Sequence, residues 1–192
     1  MLKEICKHIH DDRKMKNLRL KEASQNDLDQ IRTLYWSLLE SSPKYAQILQ
    51  WKKNIYPNDD DWNAYIANGE MYLILQDGDV IGAVAVTNAQ SNDYRKIHWA
   101  ITAEDQDVTV VHLLMISPEY QGHGVATAVL DKIVKLAEDK KKRAVRLDAI
   151  KTNVPAQKLY EKYGFVNCGT AQEYYESTGT TEFIFYEYAL AE

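Results

Sequence analysis

Thiols are scarce: Cys6 and Cys168 are the only cysteines in 192 residues. They make neither a disulfide framework nor the paired spacing of a zinc site, so a reducing cytoplasm is the expected setting and no metal is expected. His8 and His10 stand two apart with no third ligand, which suits a solvated tail. An excess of positive charge is also missing. The 23 basic residues are outnumbered by 28 acidic ones, giving a net charge of −5. That balance argues against nucleic acid as the main partner, because phosphate binding needs a basic face. No apolar run approaches the roughly 20 residues that cross a bilayer. The N-terminus is charged and polar, without a signal-peptide pattern, so no membrane association is expected. Repeats, low-complexity tracts and dividing linkers are absent as well.

What remains describes one α/β domain. Apolar residues make up 45% of the chain, enough for a real core. Residues 1–16 are polar and read as an extension, with Met15 as an alternative start, and 17–192 read as a single domain. Residues 17–23 (NLRLKEA) alternate as a first strand. Ser24 or Asn26 caps a helix whose stripe is Leu28, Ile31, Leu34, Tyr35, Leu38 and Leu39, ended by Ser41-Ser42-Pro43. Tyr45, Ile48, Leu49, Trp51, Ile55 and Tyr56 suggest a helix-like lid before Pro57. A capped helix then runs from 58–61 to Asn68-Gly69. Residues 71–76 and 80–86 form a hairpin about Asp77-Gly78-Asp79. Residues 87–108 are polar, irregular and long for a loop, with Trp99 and Ile101 as isolated anchors.

The stretch 111–127 (VHLLMISPEYQGHGVAT) organises the rest. An apolar strand breaks at Ser117-Pro118, passes through Gln-Gly-His-Gly and continues as a helix through Val125, Val129, Leu130, Ile133 and Leu136. A helix start carries unpaired N–H groups and partial positive charge, and glycines let a ligand come close to them. A phosphate or pyrophosphate is the natural guest. No Gly-Lys-Ser/Thr follows, so this is not a P-loop, and the third glycine of a dinucleotide fingerprint is missing. Lys140-Lys141-Lys142-Arg143 closes the helix, where cations complement the helix end or draw a polyanion from a distance. Residues 144–150 (AVRLDAI) form a strand. Asn153-Val154-Pro155 opens a further helix, with Ala156, Leu159, Tyr160 and Tyr163 on one face. Residues 183–190 read as a closing strand, with Tyr174 and Tyr175 in its hairpin partner. An exposed closing strand could pair across a homodimer; monomer and homodimer are both open.

Gln121-x-x-Gly124-x-Ala126 resembles the acyl-CoA pyrophosphate loop of the GNAT superfamily of N-acetyltransferases. Asn153-x-x-Ala156-x-x-Leu159-Tyr160-x-x-x-Gly164-Phe165 resembles the second signature of the same superfamily, in the expected order. The resemblance covers residues 109–166 firmly. It implies a mixed, mostly antiparallel, twisted sheet of six or seven strands, helices on both faces, and a splayed fourth and fifth strand. It also implies acetyl-CoA as co-substrate. The pyrophosphate would lie on the N–H groups of Gly122, His123, Gly124, Val125, Ala126 and Thr127, with Gln121 in the same loop. The pantetheine arm would pair like a strand with the backbone of Leu114, Met115 and Ile116, and Asn153 would hydrogen-bond it unless its side chain is spent as a helix cap.

Acyl transfer to an amine poses two proton problems: the amine must lose one, and the departing thiolate gains by receiving one. The resemblance places Tyr160 near the thiol as general acid, against the plainer reading of a core aromatic. Three side chains compete as base. Asp148 occupies a position where some members that acetylate protein N-termini carry glutamate; otherwise it pairs with Arg146 or a lysine. His112, on the fourth strand, would act through water, as in some arylalkylamine members, or is simply a core histidine. Glu40 is the third. The implied function is acetyl transfer to a primary amine of a small molecule or peptide, with the acidic balance favouring cationic acceptors such as polyamines, aminoglycosides or lysine-bearing chains. The alternatives are a non-catalytic acyl-CoA sensor and a plain α/β binding module.

Overall fold

The computed structural model describes residues 17–175 and 179–191. The N-terminal extension, with Cys6, His8, His10 and Met15, lies outside the described residues. Strands form at Arg19–Glu22 (β1), Met71–Gln76 (β2), Asp79–Thr87 (β3), Val108–Ile116 (β4), Ala144–Ile150 (β5), Val166–Tyr175 (β6) and Gly179–Ala189 (β7). Helices form at Leu28–Ser41 (α1), Pro43–Leu49 (α2), Asp59–Ala67 (α3), Val125–Asp139 (α4) and Val154–Tyr163 (α5). The strands make one sheet in the order β1-β2-β3-β4-β5-β7-β6, antiparallel except for β4 against β5.

Period-2 alternation on the strands and an apolar stripe on each helix divide the core between the two faces of the sheet. On one face Val125, Val129, Leu130 and Ile133 of α4 and Tyr160 of α5 pack on Val111, Val145, Leu147 and Tyr186. On the other, Ile31, Tyr35 and Leu38 of α1 and Trp62 and Ile66 of α3 pack on Leu73, Leu75, Ala83 and Ala85.

Residues 88–107 take the place of a helix over β4, β5 and β7. Tyr94 joins Val108, Val110, Ala144 and Phe185, with Trp99 and Ile101 packed alongside. A buried guanidinium holds this segment down. Arg146, 1% exposed, donates through Nε to Glu187 Oε2 at 2.9 Å, and through its other nitrogens to the Gln90 side chain and the Ile101 carbonyl. Its guanidinium also lies 4.3 Å from the Trp99 ring centre. A buried charge of this kind is tolerable only when fully paired.

Three expectations are corrected. The lid helix ends at Leu49, because Gln50 takes a left-handed conformation with φ of 53°. The closing strand is not an edge: β7 lies between β5 and β6, so β6 is the exposed edge at that end. Arg146 pairs with Glu187, its cross-strand neighbour, and not with Asp148. The cluster 140–143 follows the end of α4, a helix length of about 22 Å from its start. There the Lys142 ammonium and the Arg143 guanidinium hydrogen-bond the carbonyls of Gln106 and Thr102.

Candidate active site at the fork of the sheet

Strands β4 and β5 pair from Val108 against Ala144 to Val111 against Leu147, and then part. The cause lies in β4. Leu113 has φ of +54°, and the register against β3 slips there, so that β4 bulges. The Tyr35 hydroxyl, fully buried on α1, donates to the Leu113 carbonyl and fixes the bulge. Gly82 permits it: a Cβ there would meet the Met115 carbonyl at 2.2 Å. Beyond the bulge at Leu113 and Leu114, Met115 and Ile116 pair with β3 on one side, and among the described residues none of Leu114, Met115 and Ile116 has a strand partner on the β5 side.

His112 and Asp148 are the first residues past the point of parting. His112 Nδ1 lies 3.9 Å from Asp148 Oδ1, and that oxygen accepts a hydrogen bond of 2.6 Å from the Tyr94 hydroxyl. Burial lowers the His112 pKa, with Asp148 and then Glu70 acting against it, so the ring favours its neutral form. Burial first, then Asp148, keeps the Tyr94 phenol protonated as a donor. Tyr160 on α5 is 7% exposed, packs on Phe165 and Tyr186, and makes no hydrogen bond among the described residues. Burial, with Asp148 as the next cause, raises its pKa well above the usual phenol value.

These residues share a cavity of about 660 Å³, within the range of small-molecule sites. Val111 to Leu114, Asp148 to Ile150, Asn153 and Tyr160 line one side of it. The opposite walls come from the end of α2 and the following turn (Trp51, Tyr56), from α3 (Asp61, Tyr65), from Glu70, from 89–94 and from the β6–β7 hairpin (Glu173, Phe183).

The predicted phosphate loop sits apart, at the start of α4. Gly122 and Gly124 have φ of +78° and +81°, and with glycine at the N-cap no side-chain cap forms on α4 among the described residues, so its first N–H groups are not claimed by one. A Cβ at Gly122 would meet nothing within 4 Å. The loop is open and suits a diphosphate. His123 is exposed, whereas Val125 is 3% exposed and faces the core. The Gln121 side chain fastens the loop: Nε2 donates to the Ile116 carbonyl at 2.8 Å, and Oε1 accepts from the Tyr45 hydroxyl at 2.8 Å. Asn153 Oδ1 accepts from the Ala156 N–H at 3.3 Å as a helix cap, which leaves its amide NH₂ for other use.

The acetyltransferase (GNAT) family model matches residues 28–165. The chain belongs to the GNAT acetyltransferase family. An uncharacterized N-acetyltransferase of Methanocaldococcus jannaschii is 22% identical over 152 residues, covering 79% of this chain. The chain spans 62% of that relative's length. A GNAT-family acetyltransferase from Streptococcus agalactiae has a similar structure, with a TM-score of 0.75 at 24% identity, covering 92% of this chain and 98% of its own. The Salmonella typhimurium protein yncA, solved with its cofactor acetyl-CoA, gives 0.63 at 15% identity, covering 92% and 96%. In this GNAT chain Glu40 is drawn away from the cavity, paired with Lys53 at 2.6 Å on the surface. Residues 44–70, with no motif to explain them, supply Trp51, Tyr56, Asp61, Tyr65 and Glu70 to the cavity. Sequence reading missed Tyr94, Tyr65 and Glu70 because no spacing links them. Gly82 did carry a signal, since a glycine inside a strand marks close backbone approach. Among the described residues, no helix is long and apolar enough to cross a membrane.

Proposed function

We propose that the chain transfers an acetyl group from acetyl-CoA to a primary amine. The open amide cradle at 122–127 would hold the pyrophosphate. The free side of β4 beyond Val111 would pair with the amide-bearing arm of the same molecule, and the Asn153 NH₂ would join it. Acetyl-CoA supplies the activated thioester; the chain supplies position and proton traffic. Asp148 takes a proton from the incoming amine, directly or through the neutral His112. Tyr94 orients Asp148 by occupying Oδ1. The amine nitrogen bonds to the acetyl carbon, the C–S bond breaks with its electron pair on sulfur, and Tyr160 protonates that sulfur. Of the three N–H protons of an ammonium acceptor, one stays on the amide, one ends on sulfur and one reaches solvent.

The observation that carries this reading is the placement of His112, Asp148 and Tyr160 in one cavity at the parting of β4 and β5. Amine-dependent thiol release from acetyl-CoA, with coenzyme A binding followed by calorimetry, tests it. Turnover with micromolar coenzyme A affinity is expected. Binding without turnover on any amine selects the sensor, and no binding selects the plain module.

A further inference from the structure

Helix α2 is seven residues long, and none of them is fully buried. Isolated helices shorter than about 12 residues are marginal in water, so α2 keeps its place through what fastens it. Two fastenings lie toward β5. The Thr152 hydroxyl, just past the end of β5, donates to the Ile48 carbonyl at 2.9 Å. The Thr181 hydroxyl, on β7, donates to Gln50 Oε1 at 3.0 Å. A third lies toward β4, where the Tyr45 hydroxyl donates to Gln121 Oε1 at 2.8 Å. Tyr45 and Leu49 also rest, partly buried, on the core beneath. Helix α2 thus joins the far ends of the two strands that part after Val111 and Leu147.

Gln121 carries that join into β4. Its Nε2 donates at 2.8 Å to the carbonyl of Ile116, the last residue of the strand. With the side-chain oxygen held by Tyr45 and the side-chain nitrogen on Ile116, both polar ends of this exposed residue are engaged within the protein. Gln121 is therefore built as a brace. The backbone on either side of it is what the thioester half uses: the free side of β4 before it and the N–H groups of 122–127 after it. Hydrogen bonds weaken steeply as they lengthen or bend, so recognition by main chain depends on where that main chain stands.

We propose that Tyr45 is a positioning residue for coenzyme A. It acts through Gln121, which holds the end of β4 and the glycine loop at a fixed place relative to β5. The gap between the strands and the N–H cradle are then set before the ligand arrives, and affinity gains from the ordering already done. This rests on the acetyl-transfer reading for the identity of the ligand.

The test titrates coenzyme A by calorimetry into the full chain, Tyr45→Phe, Gln121→Met and the double variant. Denaturant unfolding and amine-dependent thiol release are measured on each. The bond between Tyr45 and Gln121 lies at the surface, and phenylalanine keeps the ring, so unfolding midpoints should not move. Tyr45→Phe should weaken coenzyme A binding about threefold to tenfold, the scale of one hydrogen bond, and Gln121→Met should weaken it at least as much. In the Gln121→Met background, Tyr45→Phe should add less than about 1.5-fold, because a residue that acts through another has no effect once the other is gone. Coenzyme A affinity in Tyr45→Phe equal to that of the unsubstituted chain overturns the inference. So does an equal loss in both backgrounds, which would make Tyr45 a prop for α2 alone. Thiol release that persists in either case leaves acetyl transfer standing. The expected pattern of affinities without thiol release on any amine supports the brace and overturns the transfer reading. No coenzyme A binding by the unsubstituted chain overturns both.

Discussion

The two halves of the cavity recognise by different means. On the thioester side, the chain offers backbone: glycines at positive φ, uncapped N–H groups and an unpaired strand edge. On the acceptor side it offers side chains: Asp61, Glu70 and Asp148, which among the described residues pair with no lysine or arginine, set among aromatic rings. Backbone recognition needs particular small residues at fixed spacing, so it writes a motif. Side-chain recognition needs only that distant segments meet, so it writes none. The first half therefore suits one ligand class across many proteins, and the second is free to differ.

Substitutions on either side of the cavity test that division. The largest effect is expected from Tyr160→Phe, which loses the acid: kcat falls by about 10²–10⁴ while coenzyme A affinity stays unchanged, checked by steady-state kinetics beside calorimetry. Arg146→Ala leaves the buried Glu187 without its cation, holding only the Ile101 N–H among the described residues, and loosens the segment above it, at about 3–5 kcal/mol, read from denaturant unfolding. A cost below 1 kcal/mol would mean that this segment is held by something else.

Gly124→Glu should weaken coenzyme A binding by about 10²-fold or more, through lost bonds from N–H groups to charged oxygens. The residual acceptor affinity should not move, and if both fall together the two halves are not separable. Tyr94→Phe removes one bond to Asp148, about 1.5–3 kcal/mol for a charged partner, and should appear in kcat with the coenzyme A dissociation constant untouched.

The smallest effect is one of pH. Burial lowers the His112 pKa, so the ring is neutral above the ordinary histidine range and takes a proton only below it. Activity that needs neutral His112 should hold through neutral pH and fall on acidification, with a midpoint below about 6.5. His112→Asn should remove that limb from the rate profile. An unchanged limb would assign it to another group.

How much of this was legible follows the same division. Gln121, Gly124, Asn153 and Tyr160 announced themselves by spacing, and the hairpin at Asp77-Gly78 by its turn residues. The order of the last strands did not: nothing local in 179–189 says that this strand inserts beside β5 rather than at an edge. Residues 88–107 have no hydrophobic period because they are held by isolated anchors, Tyr94, Trp99 and Ile101, and by polar bonds to Arg146 rather than by an apolar stripe. Tyr94 reaches Asp148 across 54 positions of sequence, and Thr152 reaches the Ile48 carbonyl across 104. Such meetings depend on the finished fold, which a window of neighbouring residues does not contain.

Arg146 grips its overlying strap near the two ends, at Gln90 and Ile101, from a strand whose own register is set elsewhere. The stretch between those two fastenings contains Tyr94, which packs on Val108, Val110, Ala144 and Phe185 and bonds Asp148, so a change made in the strap reaches the sheet beneath it and the candidate base together.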